Sequence, residues 1–178
     1  MIHWYLIRAT GLVALGLLTL TVVLGLLNRS RVASYRWPRF VIDRLHRNVS
    51  LFTLVFLGLH IITAVTDSFV NIGLLDAVIP FYHSYSPFWV GLGAIACDSL
   101  IALVVTSLLR VRLGVTAWRR VHWLAYLAWP VAVAHGLGLG TDSGQLWMLA
   151  VELVCITSVL AALTIRMRAP ADILEWSS

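Results

Sequence analysis

Four histidines lie inside apolar stretches of this chain and fall into two spaced pairs, His46 with His60 in one run and His122 with His135 in another. An ionisable side chain within a lipid-length segment is costly and usually has a function. Neutral imidazole is a standard axial ligand of haem iron, so two histidines on each of two helices suggest two bis-histidine haems. Cys97 and Cys155 follow no CxxC or CxxCH pattern. Covalent c-type attachment is therefore unsupported, the expected cofactor is haem b, and the cysteines read as small packing residues.

The spacing sets depth and facing. At about 1.5 Å rise per residue, the 14-residue step from His46 to His60 and the 13-residue step from His122 to His135 each cover roughly 20 Å. One ligand can thus sit near either leaflet. At about 100° per residue, a step of 14 falls about 40° short of whole turns and a step of 13 about 140° short. His46 and His60 share a face, whereas on an ideal helix His122 and His135 do not. Pro130 lies between the latter two and can kink or locally rewind its helix.

The elements that must carry these residues are membrane helices. The sequence is 60% hydrophobic and 12% charged, with a mean hydropathy of +0.90, which excludes an ordinary soluble domain. All 13 basic residues are arginine: six between Arg29 and Arg47, four between Arg110 and Arg120, two at Arg166 and Arg168, and Arg8 alone elsewhere. Clusters placed between lipid-length apolar runs exclude a nucleic-acid binder. By the positive-inside rule they are cytoplasmic, which puts the N-terminus outside and the C-terminus inside.

The expectation is an all-α integral membrane helical bundle, one domain over residues 1–178, with five transmembrane helices at about 4–27, 44–65, 88–109, 120–137 and 145–165. Asn28-Arg-Ser-Arg31 after the first helix reverses a signal peptide's charge order, so that helix reads as retained. Residues 28–43 and 110–119 read as basic loops, 67–88 as an external loop with a short interfacial helix, and 138–144 as an external turn. The tail from Ala169 receives no role. Helices two and four run the same way, so His46 shares the inner level with His122 and His60 the outer level with His135.

Other residues follow from that layout. Arg36, Arg39, Arg44, Arg47, Arg119 and Arg120 crowd the inner level, where they could bind haem propionates, dock an acidic electron donor, or only set topology. Arg8 is expected to bind an outer propionate or neutralise Asp98 or Glu152, with snorkelling as the simpler reading. Asp98 and Glu152 suggest proton handling or a quinone site, or structural hydrogen bonds to Ser99 or Thr106. Trp129, Phe52 and Phe56 lie between the two levels, where they could shorten an electron path or simply pack. His83 could face an acceptor or bind metal, although a lone loop histidine usually does neither. His3, Trp4, Trp89 and Trp147 read as interfacial residues.

The 14-then-13 histidine spacing resembles that of the ferric reductase-like transmembrane domain family, the second pair being preceded by Trp118-Arg-Arg-Val-His122 and followed by Gly136. This family includes the membrane haem domain of NADPH oxidases, ferric reductases and the haem subunit of periplasmic methionine sulfoxide reductase. Arg8-Ala-Thr-Gly11, Trp37-Pro38 and Thr106-Ser-Leu-Leu-Arg110 are weaker points of likeness, and the likeness covers nearly the whole chain. It implies a bundle holding two stacked b-type haems that pass electrons singly across the bilayer of the cell membrane, the bacterial cytoplasmic membrane in particular. Larger members have six helices and appended flavin and nicotinamide domains; no counterpart of either addition is expected here. Electrons would come from a separate reductase or from quinol and leave to an external acceptor such as ferric iron, oxygen or a partner reductase. The alternatives are a membrane anchor subunit, with or without haem, and a quinol-oxidising cytochrome b in which Asp98 or Glu152 handles the proton.

Overall fold

The computed structural model describes residues 2–29, 38–68, 72–82, 86–140 and 142–168. Among these the chain is all-helical: α1 Ile2–Arg29, α2 Arg39–Val65, a single 3-10 turn Leu74–Ala77, α3 Pro87–Leu108, α4 Arg110–His122, α5 Ala125–Leu139 and α6 Leu146–Arg168. Four helices, α1, α2, α3 and α6, are long and apolar enough to cross a membrane. The fifth expected span differs, because α5 has 15 residues and at about 1.5 Å per residue reaches about 22 Å, short of a bilayer core of about 30 Å.

Local sequence explains most of the boundaries. Pro38 stands immediately before α2 in extended backbone, where its missing N–H costs nothing, and its carbonyl accepts the Val41 N–H at 2.9 Å. Pro87 opens α3 at the first helical position, which its fixed φ suits. Gly140 ends α5 by turning to extended backbone. In the loop before α3, the Asp76 carboxylate is buried and accepts the Gly73 N–H at 2.6 Å, closing the 3-10 turn.

The stretch expected as a basic loop at 110–119 is instead helical. It contains no proline, and its one break is Gly114, whose φ of 77° and ψ of 160° bend the backbone where glycine alone is unstrained. From Val115 the helix runs on toward α5 through a tightened turn: Trp123, Leu124, Tyr126 and Leu127 donate to carbonyls three residues back rather than four. A 3-10 turn advances about 120° per residue, so four such steps recover more than half of the facing shortfall between His122 and His135. The rewinding lies about one turn ahead of Pro130, around Tyr126, the residue whose carbonyl a proline at position 130 leaves without its usual donor.

Helices α1, α2, α3, α5 and α6 run alternately up and down, with α1 antiparallel to α2 and parallel to α6. Between α1 and α6, Val22 and Leu26 pack on Val159 and Ala162, with Val23 and Trp129 against them. Leu26 is 1% exposed, the largest fully buried side chain. Where lipid tails are as apolar as the core, helices associate by packing rather than by escape from water. Trp129 closes this cluster by donating its indole N–H to the Thr19 hydroxyl at 2.9 Å. Leu26→Ala is expected to destabilise the detergent-solubilised protein by about 2 kcal/mol, the lower range for buried leucine truncations. A thermal unfolding curve matching the parent would mean that this contact does not hold α1 to α6.

Candidate functional site

The four intramembrane histidines meet in the two pairs that depth and direction require. His46 from α2 faces His122 at the end of α4 with ring centres 6.5 Å apart and planes crossed at 61°. His60 from α2 faces His135 from α5 at 6.3 Å and 86°. All four are half-buried. The first pair lies at the end of the bundle that carries the arginine clusters, the second at the opposite end.

Three of the rings are fixed by the backbone of a neighbouring helix. His46 Nδ1 lies 3.0 Å from the Thr21 carbonyl, His60 Nδ1 3.0 Å from that of Ile7, and His135 Nδ1 2.8 Å from that of Trp89. A carbonyl can only accept, so Nδ1 carries the proton and donates in each case. Nε2 then holds the lone pair and is the atom left for ligation. His122 is held differently. Its Nδ1 is buried without a hydrogen-bond partner, and its ring lies against Trp118 at 4.6 Å. Trp118 is in turn held by its N–H to the Ser107 hydroxyl at 3.1 Å and by the Arg110 guanidinium over its face at 4.4 Å.

A cavity of about 240 Å³ adjoins the second pair, with His60 and His135 in its wall, apolar side chains from α1, α2, α3 and α5 around them, and Arg8 and Asp76 also lining it. Glycines line it too: a Cβ on Gly11 would stand 3.0 Å from the His60 ring, and one on Gly93 2.6 Å from the His135 ring. These glycines and the three carbonyls touch the histidine rings in a way that the histidine spacing alone did not reveal.

The remaining expected residues sort themselves as follows. Arg8 does reach the cavity beside the His60/His135 pair, but its ion pair is with Asp142, Nε to Oδ2 at 2.9 Å, and not with Asp98 or Glu152. Its guanidinium also covers the Trp4 ring at 5.2 Å. Asp142 follows Gly140 in the turn after α5, which brings it level with the start of α1. Arg47 pairs with Asp43 on the exposed side of α2 at 3.6 Å, and Arg39, Arg44, Arg119 and Arg120 are exposed at the same end. Arg36, Trp37 and His83 lie outside the described residues. Asp98 is half-buried, and the hydroxyls expected to serve it turn elsewhere: Ser99 donates to the Ile95 carbonyl and Thr106 to that of Ala102. Glu152 is buried, with Oε1 unpartnered. Phe52 is exposed on the outer surface of α2, away from any path through the bundle. Trp89 is more than an interfacial residue, since its carbonyl seats His135 and its ring rests where Gly138 leaves room. Cys97 and Cys155 are free and buried, as packing residues would be.

Apolar helices long enough to cross a bilayer, arranged with imidazoles paired at two depths, define a multi-pass membrane protein built round two facing histidine pairs. The chain belongs to the family described as the ferric reductase like transmembrane component, whose profile matches residues 10–133. Over 130 residues it is 32% identical to the protein-methionine-sulfoxide reductase heme-binding subunit MsrQ of Caulobacter vibrioides, a match covering 67% of this chain and 54% of that protein. The chain thus spans about half the length of the curated relative it matches. No solved structure matches it.

The Arg8–Asp142 pair, with side chains only 14% and 24% exposed, is a stability element distinct from the surface pair of Arg47 and Asp43 at 67% and 53%. Arg8→Ala should cost about 2 kcal/mol by leaving a shielded carboxylate unpaired. Arg47→Ala should cost at most about 0.5 kcal/mol. Equal melting temperatures for the two variants in detergent would refute the distinction.

Proposed function

We propose that this protein is a transmembrane electron carrier holding two b-type haems, one between His46 and His122 and the other between His60 and His135. The observation that carries the reading is the geometry of the pairs. A metal–imidazole bond is about 2.0 Å and the ring centre lies about 1 Å beyond the nitrogen, so two imidazoles on opposite sides of one metal have centres about 6 Å apart. The distances of 6.5 and 6.3 Å fit that requirement. Among the described residues no three His, Cys, Asp or Glu side chains gather as a metal cluster. A pair of ligands suits a metal whose remaining positions are filled by a macrocycle, as in haem.

Bound there, the haems would supply one-electron redox chemistry. The chain's own contribution is to place and orient. The backbone carbonyls of Thr21, Ile7 and Trp89 hold three imidazoles in the ligating tautomer. Two histidines on each haem would leave no position for oxygen to bind, which suits outer-sphere electron transfer. Arg36, Arg39, Arg44, Arg47, Arg119 and Arg120 at one end are cations for propionates, and at the other end Arg8, paired with Asp142, borders the cavity where a propionate would lie. Trp129 lies between the two levels, where its indole could shorten the path.

By the positive-inside rule the arginine-rich end faces the cytoplasm, with the N-terminus outside, the C-terminus inside and the fifth crossing made by α5 together with the end of α4. The membrane would be the bacterial cytoplasmic membrane. Electrons then enter on the arginine side from a separate reductase or from quinol and leave on the other side. The name of the Caulobacter relative, a heme-binding subunit of a reductase, supports both the cofactor and a partner reductase.

The purified protein should show about two haems b per chain by pyridine haemochrome. His46→Ala and His122→Ala should each remove the same one, and His60→Ala and His135→Ala the other. A haem-free wild-type chain would leave only a membrane anchor, and reduction of the oxidised haems by a quinol analogue would identify quinol as the donor.

A further inference from the structure

We infer that Gly11, Gly25 and Gly93 are positioning residues that seat three of the four proposed haem ligands; this rests on the di-haem reading above. The seats share one construction. Each Nδ1–H donates to the carbonyl of a residue four places before a glycine: Ile7 before Gly11 for His60, Thr21 before Gly25 for His46, and Trp89 before Gly93 for His135.

The reason lies in helix geometry. Inside an α-helix the carbonyl of residue i already accepts the N–H of residue i+4. A second donor must approach from the side, across the surface of residue i+4, and a side chain there would occupy the space of the ring. A Cβ built on Gly93, Gly11 or Gly25 would lie 2.6, 3.0 and 3.3 Å respectively from the nearest atom of its histidine. Gly16 on α1, Gly58 on α2 and Gly136 on α5 meet nothing within 4 Å, and Gly91 and Gly138 meet the Phe81 and Trp89 rings, so among the described glycines contact with a histidine ring is confined to the three seats.

The spacing supplies a second, independent sign. Gly11 and Gly25 are 14 residues apart on α1, the same interval that separates His46 from His60 on α2. Because the two helices are antiparallel, the earlier glycine receives the later histidine. α1 is therefore the template that holds both ligands of α2 at their two depths. His122 has no such seat and rests on Trp118 instead, so the proposed haem at the arginine-rich end has one seated ligand and the other haem has two.

The test uses the purified holoprotein, with haem content, redox titration and low-spin EPR signals as readouts, and His60→Ala to mark which signal belongs to which haem. Gly93→Ala and Gly11→Ala should lower the content of the His60/His135 haem severalfold or displace its EPR signal and midpoint, leaving the other haem unmoved. Gly25→Ala should shift only the His46/His122 haem, and by less, in keeping with its longer contact. Gly16→Ala and Gly58→Ala should leave both at wild-type values. Two wild-type haem signals that persist unchanged in all three seat variants would overturn the seats and leave the di-haem reading standing; a wild type without haem would overturn both. Should the two tighter variants fail to accumulate in membranes, Gly25→Ala against Gly16→Ala on the same helix decides, and identical spectra there count against the inference.

Discussion

A backbone carbonyl that has satisfied its own helix can still accept a second hydrogen from the side, and three histidines of this protein depend on that spare capacity. Within lipid, a polar N–H without a partner is expensive. Donating it to a neighbouring helix removes the cost, fixes the tautomer and aims the opposite nitrogen. Each such bond also ties two helices together: α2 to α1 twice, through Thr21 and Ile7, and α5 to α3 once, through Trp89. The helix packing and the ligand geometry are therefore one arrangement. Whatever moves α1 along α2 moves two imidazoles with it.

The exception is informative. His122 sits at the junction of α4 and α5, where the backbone is wound more tightly, and its ring is placed by an aromatic face rather than a carbonyl. That face is itself fixed from two sides by Ser107 and Arg110 at the end of α3 and the start of α4. The arginine-rich end thus builds part of its histidine pair from the segment after α3, while the opposite end relies on helix interiors. The charged residues divide similarly. Arg8 is engaged by Asp142 in a shielded position, whereas most of the described arginines at the other end remain exposed and accessible to partners or propionates.

Much of this was legible in the residues. Apolar runs of bilayer length and the arginine clusters marked the helices and their alternation, and the co-directional second and fourth expected helices made the His46/His122 and His60/His135 pairing follow from depth alone. The facing of His122 and His135 was not legible, because an ideal helix turns them apart. The four i→i−3 bonds that recover more than half of that difference depend on local winding, which residue spacing does not report. The helical character of 110–119 was hidden by its charge, which reads as a loop when only hydropathy is followed. Arg8 was recognised as exceptional, but its partner was missed because Asp142 lies in a turn distant in sequence. The glycines at 11 and 25 carried a readable interval, yet it has meaning only once α1 is known to lie antiparallel against α2.

That matched interval makes the first helix a ruler with two graduations. Adding or deleting one residue between Gly11 and Gly25 would turn one graduation by about 100° and shift it by about 1.5 Å relative to the other, so at most one histidine of α2 could still find its notch. The length of this stretch is thereby tied to the length between His46 and His60, and the two segments can change only together, although neither contains the other's chemistry.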